Sequence, residues 1–370
     1  MTLVCFEDEF SRSGQFETLT DLCERVIAVP SPCKQNRTVV SKLRDLPRRE
    51  PIGLTVWQSK EMRVTLAKLV EQNHFDLAHI DHIALAQYAG CLEHLPRVLT
   101  HHNIETLAKR REMEYLSGYP RLRRWAGWLE NKRWESFEIA ASRGVEAIVT
   151  VSETESRYFS GRVPQTPVCI VPNGVDTCYF QPRDRSNLQR GLLFTGRMDY
   201  APNVDAARWF CSEILPLVRG RCPEVTLTIV GRSPTPDVQA LANLPGVTVT
   251  GMVDDVRPYY GSASVFIVPL RFGGGTRLKI LEAMSMEMPV VSTKLGCEGL
   301  DLVPGDDYLA ADTPEGFADG VTDLLTDEGL RNGLTRRGRQ TAIARFDWSI
   351  VGQAQEDAYN DALAVRTRGD

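Results

Sequence analysis

The chain has 370 residues, 42% of them apolar and 25% charged, with a net charge of −5. That length suits two domains, the composition suits a soluble globular protein, and the acidic balance argues against a general nucleic-acid binder, whose domains are basic. Nine cysteines, scattered and without a CxxC pair, argue against a disulfide framework or a zinc site, and no apolar run reaches the ~18 residues of a membrane span.

The first residues, Met1 to Glu9, are acidic and lack the basic start of a signal peptide, so a cytoplasmic location is expected. Short apolar runs ended by Gly, Pro, Asn or Asp then predict strands over 75–80, 97–101, 145–151 and 168–171. A second series follows over 191–195, 225–230, 247–250, 264–269 and 289–292. Runs such as Ala147 to Val151 are apolar without alternation, as strands buried on both faces are in parallel sheets. Between the strands lie helical patterns. In 204–218 the residues Val204, Ala207, Phe210, Ile214, Leu217 and Val218 form one stripe, with Asn203 and Asp205 as polar residues at its start. Further helices are predicted over 277–287, 315–325 and 348–363. Alternation of this kind means an α/β fold with parallel sheets. The polar stretch from Gln181 to Asn187 marks the boundary between domains.

Four stretches carry chemistry. In 264–299 a strand ends at Pro269, the triple glycine Gly273-Gly274-Gly275 follows, and a helix is expected to start near Thr276. Glycines let a backbone approach a ligand, and a helix start offers free N–H groups to a phosphate. Lys279 could add charge, and Glu282, three residues on, shares its face and could hold a ribose. The plain alternative is a tight turn with a solvated glutamate. The loop is neither a Walker motif nor GxGxxG. In 192–203 a strand leads into Gly196 and Arg197, a cation that could clamp a diphosphate at a strand's carboxyl end; by itself it reads better as a surface arginine at a loop. In 97–105 the pair His101-His102 ends a strand without a third metal ligand nearby, so no metal is expected and one of them is expected to be a hydrogen-bonding group facing a cleft, the alternative being a capped, structural histidine. Pro172-Asn173-Gly174 is a turn, read as structural.

Together these stretches resemble glycosyltransferase family 4, a retaining group with the GT-B fold: two facing Rossmann-like domains with a C-terminal helix crossing back to the first. The similarity runs from about 75 to 350, through His102-Asn103, Val151-Ser152-Glu153, 172–176, Gly196-Arg197, Val230-Gly231, Val249-Thr250-Gly251 and Gly273 to Val291. The resemblance implies an acceptor domain over 1–180 joined by 348–370, and a nucleotide-sugar domain over 181–347. It implies a metal-independent hexosyl transfer, with no cofactor, from a nucleotide-diphosphate sugar to a glycan or lipid-linked acceptor in polysaccharide or cell-surface glycan synthesis. Arg197, Gly196 and the loop Gly273, Gly274, Gly275, Thr276 and Arg277 would meet the diphosphate, with Lys279 as an added cation. Glu282 would hold the ribose, Gly231, Arg232, Met252 and Val253 would line the base, and His102 would reach the donor sugar.

Three departures from the family stand out. The first of its two spaced glutamates is replaced by Gly274, and a lysine five residues after Arg197 is replaced by Pro202, for which Lys279 is the expected substitute. The family's opening strand, glycine-rich loop and helix are not found before Thr2 to Phe6, which would deprive a sheet of a middle strand. That departure keeps a second reading open, a non-catalytic nucleotide-sugar-binding protein; a nucleotide-sugar epimerase is a third. The segment 109–135 holds Lys109, Arg110, Arg111, Arg121, Arg123, Arg124, Lys132 and Arg133 with Trp125, Trp128 and Trp134. It is expected either to lie peripherally on an anionic inner membrane face or to be an exposed helical excursion whose tryptophans pack on the first domain.

Overall fold

The computed structural model describes residues 1–7, 16–32, 50–115, 121–183 and 190–367. The chain divides into two compact units: Met1–Thr150 with Glu155–Cys169 and Asp357–Asp370, and Val151–Thr154 with Ile170–Glu356.

The first unit runs β1 (Thr2–Glu7), α1 (Phe16–Leu22), β2 (Arg25–Pro30), α2 (Lys60–Gln72), β3 (Ala78–Ile80), β4 (Arg97–His101), α3 (Glu105–Tyr115), α4 (Arg121–Arg143), β5 (Ala147–Thr150), α5 (Glu153–Ser160) and β6 (Val168–Ile170). Strands β3 to β6 form a four-stranded sheet in sequence order, and its β3–β4 and β4–β5 ladders are parallel, with Leu99 opposite Ile148. Consecutive residues of β4 from Val98 to His101 and of β5 are buried, as in strands covered on both faces. Strands β1 and β2 were not predicted, although Leu3 to Phe6 and Val26 to Val29 are short apolar runs. They pair in parallel with Val4 opposite Ile27 and form a separate two-stranded sheet. A small cluster of Val29, Met62 and Tyr88, with Val4 and Phe6 against it, sits under this pair.

The second unit runs β7 (Gly191–Thr195), α6 (Ala201–Trp209), a π-helical turn (Phe210–Ile214), α7 (Leu215–Arg221), β8 (Thr226–Val230), α8 (Pro236–Ala240), β9 (Val247–Val249), α9 (Arg257–Ser262), β10 (Val265–Val268), α10 (Leu278–Ser285), β11 (Val290–Ser292), β12 (Leu309–Ala310), α11 (Pro314–Thr326) and α12 (Glu328–Phe346). Its six-stranded parallel sheet has the order β12-β11-β10-β7-β8-β9. The four central strands supply the fully buried Leu192, Leu193, Phe266, Ile267, Ile229 and Val290. The last helix, α13 (Trp348–Thr367), begins in the second unit and ends in the first.

The stripe predicted over 204–218 lies on this helical run, which is longer and interrupted. It begins at Ala201, so Asn203 and Asp205 lie inside the first turns and do not cap the helix. The π turn precedes Pro216, which has no N–H to donate. A register of i to i+5 there lets the chain absorb the missing bond. The stretch from Pro172 to Asp176 is structural. Gly174 lies so close to the Trp348 ring that a Cβ would stand 2.7 Å from it. Val175 N–H donates to Phe346 O at 2.7 Å, and Thr177 to Asp347 at 2.5 Å. These contacts fasten the segment to the start of α13.

Candidate active site

In the second unit the chain leaves β7 and builds β8 and β9 on one side, then returns to place β10 on the other side of β7. The crevice at the carboxyl ends of β7 and β10 is therefore the topological switch point, where open α/β sheets bind ligands. Gly196 and Arg197 follow β7, the loop Gly273 to Thr276 follows β10, Gly231 and Arg232 follow β8, and Met252 and Val253 follow β9. The predicted donor residues thus share one edge of one sheet.

The backbone comes close to itself there. A Cβ on Gly231 would stand 1.6 Å from the Gly196 carbonyl oxygen, so no larger residue fits. Gly273 has φ +114°, a conformation side chains rarely adopt. Helix α10 starts at Leu278, two residues later than the sequence suggests, with Arg277 at its N-cap. Arg277 is buried, and its guanidinium donates to the carbonyls of Gly274 and Gly275. It shapes the loop from within. The Thr276 hydroxyl is buried without a hydrogen-bond partner, an unsatisfied donor at the foot of α10.

Arg197 is more than half exposed and makes a two-pronged pair with Asp199, at 2.8 and 3.1 Å. The hydrogen bond from Arg197 holds the Asp199 carboxyl below its usual range. Lys279 turns inward. Its ammonium donates to the Thr195 carbonyl and to Asn203 Oδ1 at 3.1 Å, and lies 4.5 Å over the Phe194 ring. Burial lowers its pKa to about 7. A Cβ on Gly196 would meet this ammonium at 2.9 Å, so Lys279 props the Gly196 turn from beneath. Glu282 accepts from the Tyr260 hydroxyl at 2.9 Å through one oxygen, which leaves the other for a ligand. Burial pushes its pKa up, against the lowering effect of Tyr260 and Lys279. Met252 is 67% exposed, which puts it at an open rim.

The two histidines of the first unit separate. His101 is fully buried, stacked 4.0 Å from Phe159 and bonded to Ser142 at 3.0 Å, and burial lowers its pKa to about 3. It is a neutral core group. His102 remains accessible, with Nε2 on the Asp81 carbonyl at 2.8 Å and its carboxylate at 3.2 Å; that hydrogen bond raises the His102 pKa. Asp81, Tyr260 and Asp199 were not singled out by sequence, and Asn203 was read only as a residue at a helix start. An Arg-x-Asp spacing was the only signal for Asp199; the others act on residues 21 to 76 positions away. No cluster of three or more metal-ligating residues occurs among the described residues.

The basic segment 109–135 resolves into parts. Lys109 pairs with Glu105, Arg110 with Glu114, Lys132 with Glu135 and Arg133 with Glu130. Trp134 is buried against Gly53, whereas Trp125 and Trp128 are each 55% exposed. The side chains of Arg121 and Arg123 lie outside the described residues.

Known proteins bear on these observations. The family model "Glycosyltransferase Family 4" matches residues 19–178, and "Glycosyl transferases group 1" matches 189–327. A D-inositol 3-phosphate glycosyltransferase of Acidothermus cellulolyticus is 28% identical over 97% of this chain and 82% of its own length. A GDP-mannose-dependent phosphatidylinositol monomannoside mannosyltransferase of Mycobacterium tuberculosis is 26% identical over 63% and 68%. The fold is that of sucrose-phosphate synthase from Thermosynechococcus elongatus, with TM-score 0.69 and 17% identity over 98% of this chain and 99% of the other. HepE of Anabaena, solved with UDP, gives 0.66 and 14% over 97% and 100%. Both are GT-B proteins. With a glycine loop, a free hydroxyl, an arginine and a tyrosine-anchored glutamate gathered at its switch point, the chain belongs to glycosyltransferase family 4 and is a nucleotide-sugar glycosyltransferase.

Proposed function

We propose that the chain transfers a hexosyl group with retention, without a metal ion, from a nucleoside diphosphate sugar to a glycan or lipid-linked acceptor. The carrying observation is the crevice at β7 and β10, where the Thr276 hydroxyl is unpaired, α10 starts and Arg197 stands exposed. Negative charge grows on the leaving diphosphate as the glycosidic bond breaks and the sugar becomes oxocarbenium-like. Donors fixed in place beforehand stabilise that charge without reorganising. The first N–H groups of α10, Thr276 and Arg197 fill this role, and Arg197 leaves Asp199 to do so. Glu282, held by Tyr260, accepts from the ribose hydroxyls. Arg232, Met252 and Val253 border the base. His102 is assigned to the transferred sugar on the family resemblance, and Asp81 keeps it protonated to higher pH. HepE is solved with UDP and with UDP-glucose, which makes UDP the first nucleotide to try. The relatives that act on phosphatidylinositol mannoside and inositol phosphate favour an acceptor carrying phosphate, presented at a membrane that the 109–135 region touches.

Calorimetry with UDP, GDP and ADP in the presence of EDTA tests the donor site. One nucleotide should bind, and Glu282→Ala should weaken it about 10- to 100-fold, the worth of charge-assisted hydrogen bonds. Binding that needs a divalent cation would refute the metal-free reading. Equal binding by Glu282→Ala would remove the ribose role.

A further inference from the structure

Helices α3, α4 and α5 of the first unit border a half-open pocket of about 710 Å³, within the range of small-molecule sites. Four cations line it: Arg110, Arg124, Lys132 and Arg162. Two carboxylates, Glu114 and Glu135, also line it and are engaged by Arg110 and Lys132. The excess charge rests on Arg124 and Arg162, which have no carboxylate partner among the described residues. Arg162 comes from beyond the basic segment noticed in the sequence. Its guanidinium lies 3.8 Å over the Tyr158 ring and donates to the Tyr158 carbonyl, which fixes its position at the wall. Trp128 lines the same cavity while remaining 55% exposed, and Trp125, one turn earlier on α4, is equally exposed.

We propose that this cavity seats the phosphate of an anionic lipid head group, with Trp125 and Trp128 at the level of the head groups. The charge excess matches a phosphate. The exposed tryptophans decide for a lipid source over a free anion: amphipathic rings are favoured where one side is apolar and the other wet, and a soluble anion gains nothing from them. The ion pairs along 109–135 mean that its described cations do not form a uniform basic stripe; among the described side chains lining the pocket, attraction is concentrated at Arg124 and at Arg162 beyond the segment. This inference rests on the proposed contact with a membrane and gives that contact an address.

The test uses the full chain with phosphatidylglycerol-containing vesicles and with pure phosphatidylcholine vesicles. The wild type should sediment with the former, lose that binding in high salt, and show a blue shift of tryptophan emission that Trp128→Leu reduces. Arg124→Gln and Arg162→Gln should each weaken binding about fivefold, as expected for one cation near an anionic surface. Arg208→Gln, an exposed cation of the second unit, should leave it unchanged. UDP binding in the same samples shows that each variant is folded and separates this proposal from the donor site: charge-dependent vesicle binding without UDP binding would support the cavity and count against the transferase reading. The proposal is overturned if the double variant Arg124→Gln/Arg162→Gln binds vesicles as the wild type does. It is equally overturned if the wild type ignores vesicles and binds glycerol 3-phosphate alone, which would make the cavity a site for a soluble anion.

Discussion

Lys279 and Glu282 sit three residues apart on α10, yet their side chains have different tasks. Glu282 keeps one oxygen for a ligand, whereas Lys279 is spent on Thr195, Asn203 and the Phe194 ring. Sequence spacing shows that they share a face; it does not show that one of them turns beneath the loop. Lys279→Met should therefore cost about 1–3 kcal/mol of stability through the lost hydrogen bonds. The pH dependence has a definite sign. Its folded pKa of about 7 is below the ordinary 10.5, so the unfolded chain binds the extra proton between those values. Stability from this group is full above about pH 10.5 and is lost as pH falls through about 7. Denaturant unfolding at pH 7 and pH 9 should find the gap between wild type and Lys279→Met wider at pH 9. A constant gap would mean that the ammonium is not enclosed. The two histidines teach the same lesson. Strand β4 is buried on both faces and ends at His101, so alternation along it does not say which histidine is enclosed; Phe159 and Ser142, far along the chain, enclose His101.

Among the elements, β4 and β7 begin and end where the sequence puts them, because each has a short apolar centre, Val98-Leu99 and Leu192 to Phe194, closed by a polar or glycine turn. The π turn was hidden: the apolar stripe continues through it, and only Pro216 hints at a changed register. Helix α3 shows another arrangement that no local pattern reveals. Its start is capped by Glu138 of α4, which accepts from the N–H groups of Glu105 and Thr106 and from the Thr106 hydroxyl. Burial raises the Glu138 pKa to about 7 from 4.5. A raised carboxyl contributes stability fully below the unfolded value and loses it as pH rises through the folded one. The first unit should thus weaken by about 3 kcal/mol between pH 4.5 and pH 7 from this residue alone. Glu138→Leu should abolish that pH dependence while destabilising α3 at every pH, as helical circular dichroism during unfolding would show. A pH slope that persists in the variant would assign it elsewhere.

At the scale of the molecule, the carboxyl-end location of the candidate site was legible because the glycine and arginine signals fell where strands end; the strand order that makes it a switch point came only from the structure. The first unit was less legible. Its described strands fall into two sheets, β1–β2 and β3–β6, instead of one. A single sheet has two open edges; this unit has four among its described strands. Each open edge carries peptide groups that water or another strand can claim. A two-stranded pair is also only marginally stable unless something packs on it, and among the described residues a small cluster does so. The unit should therefore open in stages. Hydrogen exchange should release the amides of Val4 and Ile27 well before those of Leu99 and Ile148, and these before Leu193 and Phe266 of the six-stranded sheet. Simultaneous exchange of all three groups would mean that the pair is as firmly held as the large sheet. Limited proteolysis should find the same order, with the first cuts freeing β1 and β2 while the second unit stays whole. Kinetic resistance in this protein is thus unevenly shared, and the first unit is the one that can be lost first.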